Sequence, residues 1–279
     1  MMWNSGTDVD EAFRKKVIWG SAAIVLLGLL GAGAYYRYYG KAAAPPQAPA
    51  PAKPAAPAPA PEPAIRNPIP EGQSETKPLP ALNDSDAEVR DSLAGLFGAK
   101  AIEQFLVPQN VVRHIVVTVD NMPRKKVAVE LRPVKPTPGS TALATQGDIT
   151  TLGAANYDRY GPFIKVVQGT DPNTLATIYF RLYPLFQQAY EDLGYPGQYF
   201  NDRLVVVIDD LLHTPEVQGP IQLTQPKVFY EFADPKLESL SSGQKLLIRM
   251  GPANAAIVKA KLRALRSAVA RRPEEPVTH

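Results

Sequence analysis

DPNTLATIYFRLYPLFQQAYEDLG, residues Asp171–Gly194, carries a helix start, a helix stop and a buried face in one stretch. Asp171 stands where a side chain can accept from the open backbone N–H groups of a first turn. Pro172 takes the first helical position, where its missing donor is no loss, and Gly194 supplies the left-handed turn that ends many helices. Between them Leu175, Ile178, Tyr179, Leu182, Phe186, Ala189, Tyr190 and Leu193 recur at three- and four-residue steps, a stripe wide enough to face a core. Most of the rings here are therefore expected inside the protein. Pro184 cannot donate to the carbonyl of Phe180 and predicts a kink.

Helical signals continue on both sides. Ser85–Glu88 has the spacing of a capping box, Val89, Leu93, Leu96 and Phe97 follow at helical intervals, and Gly98 is a stop. In NVVRHIVVTVDNMP the β-branched residues favour a strand by propensity. Val111, Val112, Ile115, Val116 and Val119 nevertheless share one helical face, and Pro123 closes the run, so a helix is predicted. Another helix is expected from near Asn201, with Leu204, Val207, Ile208 and Leu211 as its stripe. SSGQKLLIRMG and PANAAIVKAKLRALRSAVA read as two closing helices broken at Gly251 and Pro252. KKVAVELRPVKP, from Lys125, and IQLTQPKVFYEF, from Ile221, read as extended, either paired as a small sheet or packed as irregular arms. The expectation is a mainly α domain over residues 81–270 with one or two short extended segments, followed by a disordered tail at 271–279.

The N-terminal region differs in kind. Val17–Ala34 runs without a charged residue, which with its flanks is enough for a helix across a hydrocarbon core of roughly 30 Å. Arg14, Lys15 and Lys16 precede it, and Tyr35, Tyr36, Tyr38 and Tyr39 follow at headgroup level. Residues 17–39 thus read as a single transmembrane helix with an aromatic flank, behind a short cytoplasmic N-terminus at 1–16. Arg37 and Lys41 weaken the charge asymmetry behind that orientation. A cleaved signal peptide is the rival reading, with AGA at Ala32–Ala34 as its cleavage site, but the length of the run and its girdle favour an anchor. Gly28 and Ala32 form a small-xxx-small pair that offers a weak homodimer contact. Residues 40–80 are rich in proline and alanine, have almost nothing to bury, and read as a disordered tether. At ~3.1 Å per residue in polyproline II conformation, its reach is on the order of 100 Å.

The runs YPLFQQAYEDLGYPGQYFNDRL, QPKVFYEFADPKLESLSSGQKLLIRMGP and VDNMPRKKVA resemble those of a proteobacterial family catalogued as domain of unknown function 3014. The resemblance extends from Pro80 to about Arg266, and the preceding apolar helix and Pro-Ala tether are similar to that family's layout. It implies a bacterial inner-membrane protein with its domain outside the cytoplasm. It implies no activity, cofactor or catalytic residue.

Composition narrows the chemistry. With no cysteine, disulfides, thiolate metal sites and cysteine nucleophiles are excluded. A net charge of +3 gives no reason to expect a nucleic-acid partner. His114, His213 and His279 stand apart from one another, and H-E-x-x-H, G-x-S-x-G and P-loop patterns do not occur, so no catalytic residue, metal or cofactor is assigned. His213 falls where a helix C-terminus is expected. The carboxylate pairs Glu191–Asp192 and Asp209–Asp210 are helix neighbours about 100° apart and do not converge. Asp202 precedes Asp209 by two turns and could share its face, though a first-turn role explains it more simply. Basic residues gather in PRKKVAVELRPVK and at Lys245, Arg249, Lys259, Lys261, Arg263, Arg266, Arg271 and Arg272, where an anionic polymer or lipid surface could bind. A solvated helix face accounts for Lys259, Arg263 and Arg266 more simply.

The turn GYPGQYFNDR is the stretch where rings need not be buried, and Tyr195, Tyr199, Asn201, Asp202 and Arg203 are its candidate ligand-binding residues. The functional expectation is a non-enzymatic binding or scaffold module of the bacterial envelope, anchored by one span, whose partner is an envelope protein or a cell-wall polymer. The alternative is a cell-wall or glycan hydrolase with carboxylates not recognisable from sequence.

Overall fold

The computed structural model of the chain describes residues 64–70 and 78–270. The described residues fall within a single compact unit. The expected membrane segment with Gly28 and Ala32, most of the expected tether and the C-terminal tail lie outside the described residues. Among the described residues, no helix is long and apolar enough to cross a membrane.

The described fold is a mainly helical domain with a small antiparallel sheet. After a 3-10 turn at Leu82–Asp84 come α1 (Asp86–Phe97), α2 (Ala99–Phe105) and α3 (Val111–Asn121). The hairpin β1 (Leu143–Gln146) and β2 (Ile149–Leu152) follows, then α4 (Ala155–Asp158), α5 (Gly161–Gly169), α6 (Pro172–Asp192) and α7 (Phe200–Leu212). Strands β3 (Gln222–Thr224) and β4 (Glu231–Phe232) precede α8 (Pro235–Glu238), α9 (Ser242–Met250) and α10 (Pro252–Val269).

Helix α6 starts as its sequence dictates: Asp171 Oδ1 accepts from the Thr174 amide at 2.7 Å and the Thr174 hydroxyl at 2.8 Å. It is buried on more than the expected stripe. Leu182, Leu185, Phe186, Ala189 and Tyr190 pack with Val111, Val112 and Val116 of α3, while Ala176 and Phe180 pack with Val205 and Ile208 of α7 and Val269 of α10. Helices on two sides of α6 therefore bury Phe180 and Leu185, which one face alone would leave out, and Leu193 is exposed. The helix continues through Pro184.

The helix predicted for NVVRHIVVTVDNMP forms, with Val111, Val112 and Val116 fully buried. The Ser85 capping box does not. Ser85 is itself in helical conformation and its hydroxyl donates to the Leu82 carbonyl, while Asp86 accepts from the Asn110 and Val111 amides and holds the start of α3 instead. A box with both of its hydrogen bonds occurs at α9, between Ser241 and Gln244.

The four strands form one antiparallel sheet in sequence order, more extended structure than the one or two segments expected. IQLTQPKVFYEF supplies β3 and β4, whereas KKVAVELRPVKP stays out of the sheet as an arm that holds a 3-10 turn at Val129–Leu131. That arm is tied to α2 by a bridge between Leu106 and Val134 and by the bonds Val107 N to Pro133 O and Lys135 N to Phe105 O.

Gly251 joins α9 to α10 with φ 87° and ψ 158°, a region open essentially to glycine alone. A β-carbon there would stand 2.6 Å from the Tyr157 ring. Gly251→Ala is expected to lower unfolding free energy in urea by about 1–3 kcal/mol from backbone strain, before the ring displacement is added.

Candidate functional site

The turn between α6 and α7 was the sequence candidate, and its residues diverge to two places. Tyr195 stacks on Tyr190 with centroids 4.6 Å apart, accepts from Arg124 at 2.9 Å, and lies 3.2 Å from Asp120 Oδ2. Arg203 reaches the same carboxylate, donating to Asp120 Oδ1 at 3.0 Å and to the Asp120 carbonyl at 2.7 Å. Asp120, almost wholly buried at the end of α3, thus gathers Arg124, Arg203 and Tyr195 around one negative charge.

Asn201 and Asp202 point elsewhere. Asn201 is fully buried; its amide donates to the carbonyls of Asn67 and Val269, and its Oδ1 accepts from the Tyr179 hydroxyl at 3.1 Å. Asp202 accepts from the amides of Arg66 and Asn67 and from the Asn67 side chain. Residues 64–70, part of the stretch expected as tether, are therefore bound to the start of α7. Tyr199 N-caps α7 and lines a broad hollow of about 670 Å³ together with Arg66, Asp202, Arg203, Asp209 and Arg266. The carboxylates there are engaged: Asp202 by the segment just named, Asp209 by Arg266 at 2.5 and 2.9 Å.

Other polar candidates are absorbed in the same way. Lys259 is buried rather than solvated, donating to the Thr214 carbonyl, and Lys245 pairs with Glu238. Arg249 lies over the Phe232 ring at 4.7 Å. His213 is at the C-terminus of α7, as expected, with Nδ1 2.6 Å from the Asp209 carbonyl. Burial pushes the Tyr183 hydroxyl up to about 12 and Tyr179 well above its ordinary value, so both stay protonated. Tyr183 uses its proton on Gln187, as Tyr179 does on Asn201. Among the described residues, no group of His, Cys, Asp or Glu is placed to hold a metal ion.

The buried His114 Nδ1 and Ser242 Oγ are without a hydrogen-bond partner among the described residues, and they stand apart from the strongly apolar candidate. Between α1 and α2 on one side and α5 and α10 on the other lies a cleft of about 400 Å³, with α3, the start of α6 and the Pro133–Val134 arm completing its wall. Phe97, Phe105, Val134, Phe163 and Leu262 line it, and most of its side chains are half-buried rather than enclosed. Phe105 and Phe163 meet edge to face across it, 6.0 Å between centroids. A second apolar hollow of about 160 Å³ adjoins it and shares Leu93, Ile115, Leu175 and Leu265 as common wall. Lys261 is the charged residue of the lining; its ammonium donates to the Thr170 carbonyl at 2.6 Å. The Thr170 hydroxyl is turned to the Val166 carbonyl.

Sequence reading missed this cleft because it missed α5. GPFIKVVQG carries the signal, with Pro162 in the first turn and Phe163, Val166, Val167 and Thr170 on one face at helical steps. The arm's contribution had no local signal, since a bridge of Val134 to Leu106 is a tertiary event.

These elements define a helical domain with a small sheet at its side and an apolar cleft between its helices. Residues 111–266 match the family described as protein of unknown function (DUF3014), and the chain belongs to that family. The matched region includes α5, α6 and nearly all of α10 from the cleft wall and begins after α1 and α2. Comparison with curated proteins and with solved structures finds no match.

Two measurements probe the polar framework. Asn201→Ala leaves two carbonyls and one hydroxyl without their partner, at roughly 1–3 kcal/mol for each buried group left unsatisfied, so a large fall in thermal midpoint is expected by calorimetry. The hydrogen bond from Arg266 holds the Asp209 carboxyl below the usual range. Its contribution to stability is complete above the unfolded value of ~3.9 and is lost as pH falls through the lowered folded value. Asp209→Asn should remove that part of the acid-induced loss in pH-dependent urea unfolding and leave the remainder.

Proposed function

We propose that this protein is a non-enzymatic binding or scaffold module of the bacterial envelope, anchored in the inner membrane by one span, with a cytoplasmic N-terminus and its domain in the periplasm. The apolar cleft between α1–α2 and α5–α10 carries the reading. A domain that engages most of its buried polar side chains internally, His114 Nδ1 and Ser242 Oγ excepted, yet leaves an apolar hollow with half-buried walls has a place for a ligand or partner, and large well-formed apolar pockets are the usual sites of recognition. The charge-free run Val17–Ala34 and the Pro-Ala stretch after it support the anchor and the reach. Asp202 and Asp209, the two carboxylates that could share a face, are both hydrogen-bonded within the chain, which favours the binding reading over a hydrolase that uses them.

Two arms test the proposal. Full-length protein should sediment with the inner membrane, keep an intact mass that includes residues 1–34, and lose its domain to protease added to spheroplasts; a mature chain lacking that segment would sink the anchor. A photoreactive benzoylphenylalanine at Val134, in the cleft, should capture envelope material in living cells, while the same residue at exposed Ile149 on β2 should not. Equal capture from both positions, or from neither, would count against the cleft as binding site.

A further inference from the structure

We infer that the occupant of the cleft is a long-chain carboxylic acid, its hydrocarbon chain lying in the two adjoining apolar hollows and its carboxylate at Lys261; this rests on the cleft being the binding site. Shape is the first reason. The outer hollow of about 400 Å³ and the inner one of about 160 Å³ have Leu93, Ile115, Leu175 and Leu265 as common wall, so it is side chains that stand between them. Joined by a shift of those side chains, they would suit a narrow, flexible, unbranched ligand better than a flat ring. The outer volume falls within the ~300–1,000 Å³ usual for small-ligand pockets.

Chemistry of the lining is the second reason. An extended peptide would bring N–H and C=O groups that need partners, and the cleft has almost none to give: the Thr170 hydroxyl already donates to Val166. A hydrocarbon chain makes no such demand. Lys261 lines the outer hollow through its hydrocarbon stem and does not line the inner one; its ammonium sits at the Thr170 carbonyl. Its ammonium has three donors, of which one goes to the Thr170 carbonyl, and it has no further hydrogen-bond partner among the described residues.

Net charge selects the headgroup. The exposed Asp171 carboxylate is near enough to feel Lys261, and it is itself occupied by Thr174 as the cap of α6. Lys261 is the single cation of the lining, so one negative charge is what it can match. A phosphate monoester, at close to two negative charges, would face Asp171 with a single cation to offset it. A carboxylate is therefore the better match.

The experiment uses the full-length chain in phosphatidylcholine nanodiscs with three diazirine probes: hexadecanoic acid, hexadecanol and a lysophosphatidic acid. Labelled peptides are located by mass spectrometry. Hexadecanoic acid should label peptides of α1, α2 and α10. Lys261→Met should reduce that labelling about tenfold, equivalent to ~1.4 kcal/mol, and leave hexadecanol labelling unchanged. Ala101→Trp, which fills the outer hollow, should abolish labelling by both; circular dichroism establishes that each variant is folded, and Val166→Phe serves if Ala101→Trp is not.

Equal labelling by acid and alcohol with no response to Lys261→Met overturns the carboxylate assignment and leaves the cleft as an apolar site. Labelling by the lysophosphatidic acid in preference to the fatty acid overturns it as well. Cleft capture by benzoylphenylalanine at Val134 without labelling by any lipid probe rejects a lipid occupant but not the binding module. Failure of both rejects the module. The exposed pair Val228 and Phe229 offers a competing occupant, a second copy of the chain. Concentration-dependent association lost on Phe229→Ser and on Ala101→Trp would assign the cleft to that contact and overturn the lipid.

Discussion

Asn201 is the point on which the closure of this domain depends. A carboxamide with no solvent exposure must have its donors and acceptor matched inside the protein, and Asn201 meets that demand with groups far apart in the chain. The Asn67 carbonyl lies before the first helix, the Val269 carbonyl at the end of the last, and the Tyr179 hydroxyl on the central helix α6. One side chain therefore ties the two ends of the described domain to its middle. Asp202 strengthens the same joint by accepting from the Arg66 and Asn67 amides. The buried Asp120 does comparable work where α3, the α6–α7 turn and α7 meet, through Arg124, Tyr195 and Arg203.

This polar framework explains why the polar groups of the turn between α6 and α7 do not converge on one point. A turn rich in tyrosine, asparagine and charge resembles a recognition loop in sequence, because recognition loops and polar joints draw on the same residues. The difference is whether the hydrogen-bonding groups are engaged. At Asn201 all of them are, and at Asp202, Arg203 and Tyr195 the principal ones are. The cleft is the converse case. Its side chains look like ordinary core residues in sequence, yet the packing of α5 and α10 against α1 and α2 leaves them half-covered.

Much of the helical framework was legible. Asp171 and Pro172 mark the start of α6, the valine face of α3 overrides the strand preference of β-branched residues, and Gly251 breaks α9 from α10. Each signal is local: a cap, a period or a required positive φ. Two local signals went unread. GPFIKVVQG holds the face of α5, and LATQGDITTL holds a hairpin with Gly147 at φ 58° in its turn. Others misled for a physical reason. Ser85 has capping-box spacing, but Asp86 is drawn to the exposed amides of α3, a partner more than twenty residues away, and the box gives way to that contact. Lys259 has the spacing of a solvated face, but α10 packs where the Thr214 carbonyl can take its ammonium inside.

The sequence by itself determined that the chain holds a mainly helical domain after its Pro-Ala stretch, where several of its helices begin and end, and that cysteine chemistry is excluded. These follow from backbone geometry and composition, which act within a few residues. Tertiary structure alone decided that Asn201 and Asp202 serve one joint while Arg203, next in sequence, serves another, and that Phe97, Phe105, Val134, Phe163 and Lys261 share one cleft. Successive residues on a helix point about 100° apart, so adjacency in sequence separates side chains that only packing between distant helices can bring together.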